Sequence, residues 1–111
     1  MITNSYSFGD IVSIDMAFSD NSDTKIRPIL ILHKDRQDYL FMKLTSNLLN
    51  KTRFDISILP NATNWLKVET VANIGKMHTY HESVLRKKIG TLTKKEKENI
   101  NKKLHEFIDN L

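Results

Sequence analysis

The stretch IRPILIL sets an arginine directly before a proline, Arg27 and Pro28, at the start of an apolar run that ends at Leu32. Proline disfavours helical backbone in the residue before it, so Arg27 is expected to be extended at a strand rim. A planar guanidinium held that way can grip a phosphate with two hydrogen bonds. A surface ion pair with Asp20 or Asp23 of the preceding polar loop is the alternative. The second candidate is KLTSN, Lys43 to Asn47, which gathers a lysine, two hydroxyls and an amide where a strand should end. Such groups bind phosphate and sugar oxygens. The same pattern also suits a turn, or the cap of a short helix through Ser46 to Asn50. Among the histidines His33, His78, His81 and His105, His78 shares a strand face with Lys76, where an imidazole can move protons near neutral pH. His105 falls one position past an apolar helix residue and should be solvated.

Other chemistries lack their residues. The chain has no cysteine, which removes disulfides, thiolate metal sites and a cysteine nucleophile. His78 and His81 stand in H-x-x-H spacing without a third ligand nearby, and Asp10, Asp15, Asp20 and Asp23 fit no familiar metal-binding spacing. No metal site and no cofactor are expected. There is no G-x-S-x-G elbow and no P-loop. The net charge of +4 favours a polyanionic partner such as nucleic acid. The N-terminal stretch MITNSYSFGD lacks the basic and apolar parts of a signal peptide, and no apolar run reaches the roughly 18 residues of a membrane span. A soluble cytoplasmic protein without membrane contact is expected.

The elements that must position these groups are mostly strands. The 111 residues suit one domain spanning residues 1–111. Val12, Ile14, Met16 and Phe18 alternate with polar or small residues, the period of a half-buried strand opened by Gly9 and Asp10. Ile29 to Leu32 is apolar on both faces and predicts a central strand. A polar turn at Asp35 to Asp38 leads to a strand over Tyr39 to Thr45. Phe54, Ile56 and Ile58 mark a fourth strand, Val68 to Thr79 a long fifth, and Lys87 to Gly90 a short sixth. Thr93 and Glu96 then form a capping box, followed by Ile100, Leu104, Phe107, Ile108 and Leu111 at helical spacing. Lys94, Lys95, Lys97, Lys102 and Lys103 are the expected solvated face of that helix. The fold class is mostly β (α+β), a small antiparallel domain with a C-terminal helix.

Three motifs in order resemble the MazF/PemK-like toxins of type II toxin–antitoxin pairs. GDIVSIDMAFSDNSDTKIRPILIL resembles their opening, LTSN their T-S motif, and GKMHTYHESVLRKKIGTLTKKEKENINKKLHEF their K-x-x-T strand and terminal helix. The resemblance implies an SH3-like barrel with a C-terminal helix, a homodimer, and a cognate antitoxin as partner. It further implies an enzyme that cuts single-stranded RNA, as a sequence-specific endoribonuclease (mRNA interferase) working without a metal. Arg27 and Thr45 match the family's main catalytic positions, and Ser19 to Lys25 matches a mobile loop that covers the RNA. Ser22, Lys25, Lys43, Ser46, Asn47, Asn73 and Lys76 complete the candidate substrate-binding set. Many relatives carry an arginine and an aspartate where Asn73 and Gly75 stand here, so the base proposed for them is missing and His78 is the candidate replacement. A glycine-only backbone at Gly75 would bar restoring that aspartate. The same fold also serves gyrase-inhibiting toxins, and a catalytically weakened RNA-binding or regulatory member is a further alternative.

Overall fold

The computed structural model describes residues 5–16, 25–49 and 51–111, with the backbone alone at 16 and 25. Outside the described residues therefore lie the covering loop with Ser22, the side chains of Met16, Phe18 and Lys25, and the alternative ion pair of Arg27 with Asp20 or Asp23. The strands are β1 (Asp10–Met16), β2 (Lys25–Asp35), β3 (Asp38–Thr45), β4 (Ile56–Ile58), β5 (Thr70–His81) and β6 (Leu85–Thr91), and helix α1 (Lys94–Asp109) follows. They form one antiparallel sheet in the order β4-β5-β3-β2-β1-β6. The edges are drawn together by the segment after β4, whose Thr63 carbonyl accepts from the Thr91 amide of β6 at 3.0 Å. The mostly β class with a closing helix is as expected.

Strand alternation sorts the apolar side chains into two clusters. Ile11, Leu30, Met42, Leu44, Ile58, Ala72 and Ile74 meet under the helix with Leu92 and Ile100. Val12, Ile14, Ile29, Ile31, Tyr39 and Phe41 pack on the other face. β1 is thus buried on both faces rather than one. Its Ser13 is satisfied by donating to the Lys87 carbonyl at 3.2 Å.

The helix begins as its capping box requires. Thr93 Oγ1 accepts from the Glu96 amide at 3.2 Å, and Glu96 Oε1 accepts from the Thr93 amide at 2.9 Å. Ile100 is fully buried, and Leu104 and Phe107 pack against the same cluster. Burying such a side chain contributes about 1.5–3 kcal/mol. Ile108 and Leu111 are exposed, against the periodicity: Ile108 lies in the last turn, on the rim of a groove with Phe8 and Leu32, and Leu111 lies past the helix end.

Element bounds shift in three places that matter for function. β2 starts at Lys25, so Arg27 and Pro28 lie inside a strand rather than opening it. Pairing with β3 begins only at Ile29, and Pro28 is flanked by Ser13 of β1 alone. The proline therefore sits where one side of the ladder is open. β4 shrinks to three residues and leaves Phe54 to pack edge-on against Phe107 of the helix, with ring centroids 5.5 Å apart. In β5, Met77 pairs with Met42 but Ala72 pairs with Leu44, so β5 spends several extra residues, 73–76, opposite Lys43. That bulge opens the sheet surface and re-aims the side chains within it.

Candidate functional site

The bulge of β5, the end of β3 and the segment before β4 enclose an open cleft of about 470 Å³. Lys43, Thr45 and Asn47 line it from β3 and its exit, and Asn73, Gly75 and Lys76 from the bulge. Thr52, Phe54 and Asp55 face them, with Phe107 of α1 at one end. Small-ligand sites occupy roughly 300–1,000 Å³, so a nucleotide-sized group fits.

Cations dominate one side. Burial first, then the Lys76 and Arg27 charges, hold the Lys43 ammonium below the ordinary lysine value. This places Arg27 within electrostatic reach of the Lys43 head group, on the stretch of β2 that β3 leaves unpaired. The ion pairs between described residues are Arg86 with Asp15, Lys88 with Asp10 and Lys103 with Glu106, and none engages Arg27 or Lys76. Cations that depress one another favour the approach of an anion, whose arrival relieves the repulsion.

The KLTSN segment ends as a turn, not as a helix cap. Thr45 Oγ1 accepts from the Asn47 amide at 3.1 Å, and Asn47 Oδ1 accepts from the Leu49 amide at 3.0 Å. With an acceptor lone pair engaged, the Thr45 hydroxyl proton is left to point into the cleft as a donor. Ser46 is exposed beside it.

Asp55 is the residue that pattern reading passes over. It is 6% exposed, with Oδ1 accepting from the Ile74 amide at 2.9 Å. Its Oδ2 accepts from the Thr52 amide and from Asn73 Nδ2, each at 3.1 Å. The carboxylate therefore ties the bulge to the segment before β4. The available signal was Gly75 inside a strand pattern, which marks a bulge whose amides need partners. Gly75 itself has no positive φ, and a Cβ added there meets nothing within 4 Å, so its geometry does not bar a side chain.

The histidines separate. His78 pairs with Phe41 across the strands and stacks near Phe41 and Tyr80, at 5.8 and 6.1 Å between centroids. It shares the face of Lys76 two residues on but is not part of the cleft wall. His81 Nδ1 accepts from the Ser83 amide at 3.1 Å, which caps a short turn of helix. His33 and His105 are exposed. Among the described residues, no three of His, Asp or Glu converge as a metal-ligand group.

A curled antiparallel sheet, one closing helix and a cleft with two lysines at a strand bulge define a small, mostly β domain. Within that class the chain belongs to the PemK-like, MazF-like toxin family of type II toxin–antitoxin systems, whose profile matches residues 7–108. Its fold is similar to an endoribonuclease solved in complex with its cognate antitoxin from a mycobacterial species. The TM-score is 0.73 at 15% identity, over 95% of this chain and 96% of that one. It is also similar to the Mycobacterium tuberculosis toxin MazF-mt6, with a TM-score of 0.69 at 17% identity over 88% and 95% of the two chains. A second mycobacterial endoribonuclease gives a TM-score of 0.72 at 16% identity over 98% and 96%. No curated protein matches the chain by sequence.

Proposed function

We propose that this toxin is a metal-independent endoribonuclease that cuts single-stranded RNA at particular sequences. The observation that carries this is that Lys43 and Lys76 line one cleft with Thr45 while the Arg27 charge acts on Lys43, with no described carboxylate paired to Arg27 or Lys76. In this reaction the ribose 2′-oxygen forms a bond to phosphorus, the bond from phosphorus to the 5′-oxygen breaks, and that oxygen takes a proton from solvent. The products are a 2′,3′-cyclic phosphate and a 5′-hydroxyl. Negative charge gathers on the phosphate oxygens in the transition state, where Arg27 and Thr45 donate hydrogen bonds to it. Lys43 and Lys76 hold the neighbouring phosphates, and Ser46, Asn47 and Asn73 contact the nucleotide. His78 takes the 2′-hydroxyl proton, a role that requires the RNA to extend from the cleft toward the Phe41 side of the sheet. RNA brings its own nucleophile, so no carboxylate pair is required.

The solved relatives described as endoribonucleases, one of them with a cognate antitoxin, support the activity and an antitoxin partner. A homodimer is proposed with them, and light scattering that returns the monomer mass of 12.9 kDa would count against it. The activity is tested by incubating the purified protein with a long transcript in EDTA and analysing the new ends. Cleavage to a cyclic phosphate and a 5′-hydroxyl is expected. Activity that vanishes in EDTA and returns with magnesium overturns the mechanism. Intact RNA together with inhibited gyrase would favour a non-nuclease toxin.

A further inference from the structure

Inside the cleft, Asp55 decides which way the Asn73 amide points. An ionised carboxylate only accepts hydrogen bonds. Turning the amide over would set Asn73 Oδ1 against Asp55 Oδ2, so Nδ2 must face the carboxylate, as it does at 3.1 Å. Asp55 cannot swing away to allow the flip, because the Ile74 and Thr52 amides hold both of its oxygens. Asn73 lines the cleft, is only partly buried, and its Oδ1 accepts from no described residue. The cleft thus presents a fixed acceptor. Phe54 and Phe107 add apolar wall at the same site, the kind of surface a planar base packs on.

We propose that this part of the cleft is a nucleobase subsite for adenine or cytosine, in which Asn73 Oδ1 accepts from the exocyclic amino group and Asp55 is the positioning residue that locks the amide. The proposal rests on the ribonuclease function above and names what that site reads. An amino group brings two N–H bonds into a corner already holding the Asp55 and Asn73 oxygens. Uracil, or the carbonyl side of guanine, brings another oxygen into that corner and leaves acceptors facing acceptors. The ring nitrogen beside the amino group needs a donor. Thr52 offers its hydroxyl, and Asn47 offers Nδ2, since its Oδ1 is engaged by Leu49.

The test maps the 5′ ends released from a long transcript by the wild-type protein and by Asn73→Leu and Asp55→Asn. Wild-type cuts should share adenine or cytosine at one position. Asn73→Leu should weaken that preference roughly tenfold, the scale of one lost hydrogen bond. With its oxygen kept on the Ile74 amide, Asp55→Asn sets a donor at the Oδ2 position, so Asn73 turns its Oδ1 inward and its Nδ2 to the cleft, and the preference should be lost. The RNA is then changed instead of the protein. A wild-type substrate carrying purine riboside or pyrimidin-2-one riboside at that position lacks only the amino group, and its kcat/KM should fall roughly tenfold. That arm holds even if a variant fails to fold. A wild type without adenine or cytosine preference, or unchanged cleavage of the amino-free substrate, overturns the subsite while the ribonuclease function stands. A wild type that cuts no RNA removes both.

Discussion

Replacing Asp55 by alanine should unfasten the β5 bulge, and the cost can be worked from its three hydrogen bonds. The Ile74 amide is at a fully buried residue, and without Oδ1 it has no partner and no route to water. An unsatisfied buried donor costs about 1–3 kcal/mol. Thr52 is exposed, so water replaces Oδ2 at its amide and the loss there is about 0.5–1.5 kcal/mol. Asn73 Nδ2 can turn to the open cleft, which adds little. The sum is about 1.5–4.5 kcal/mol, less than the roughly 5–15 kcal/mol that holds a domain folded, so the variant should still fold. At roughly 4 °C per kcal/mol for a domain of this size, Tm should fall by about 6–18 °C. Asp55→Asn keeps an acceptor for the Ile74 amide and should lose less than half as much. Urea unfolding of the three proteins, followed by circular dichroism, measures this. A change below about 0.5 kcal/mol in Asp55→Ala, with an unaltered m-value, would mean that the bulge stands without its carboxylate.

Three other expectations follow from the cationic side. Arg27→Ala should cut slower by about a hundred- to a thousandfold with its fold intact, and Arg27→Lys should fail as well, because an ammonium lacks the two-pronged geometry; comparable single-turnover rates for Arg27→Ala and wild type would remove Arg27 from the site. Lys43, lowered by burial and then by Lys76 and Arg27, binds fewer protons folded than unfolded between its folded pKa and the ordinary value, so stability should rise with pH across that window. Lys43→Met should abolish the rise and flatten the salt dependence of RNA binding by about 0.7 in log–log slope; a flat pH profile in the wild type contradicts this. If His78 takes the proton, wild-type activity should decline as the solution turns acid, and His78→Gln should bind RNA, cut slowly and lose that decline; an unchanged profile in the glutamine variant refutes the role.

Local chemistry made much of the fold legible. Thr93 and Glu96 mark the helix start because their capping depends on residues three apart, and the alternation over β3 places Phe41 and Met42 on opposite faces as observed. Ile108 and Leu111 mislead because periodicity cannot tell where the helix stops or how far its apolar face is filled. Arg27 and Lys43 are conspicuous as residues, yet their proximity depends on where the pairing of β2 with β3 begins, a register set by the whole sheet. Asp55 is silent in the sequence. Its donors come from Thr52, Asn73 and Ile74, and only the pairing of β4 with β5 assembles them. Gly75 misleads in the opposite direction. Glycine in a strand suggests special backbone geometry, whereas its φ is ordinary and the space beside it is open.

The most direct test uses an RNA oligonucleotide that the protein cuts once, compared with the same oligonucleotide carrying a single 2′-deoxynucleotide on the 5′ side of the cut. Every phosphate contact proposed for Arg27, Lys43, Lys76 and Thr45 is retained, and only the nucleophile is gone. Attack by the 2′-oxygen predicts that the deoxy substrate binds with near-unchanged affinity and is not cut at that bond. Cleavage of the deoxy substrate at the same bond would contradict it and would require a different nucleophile.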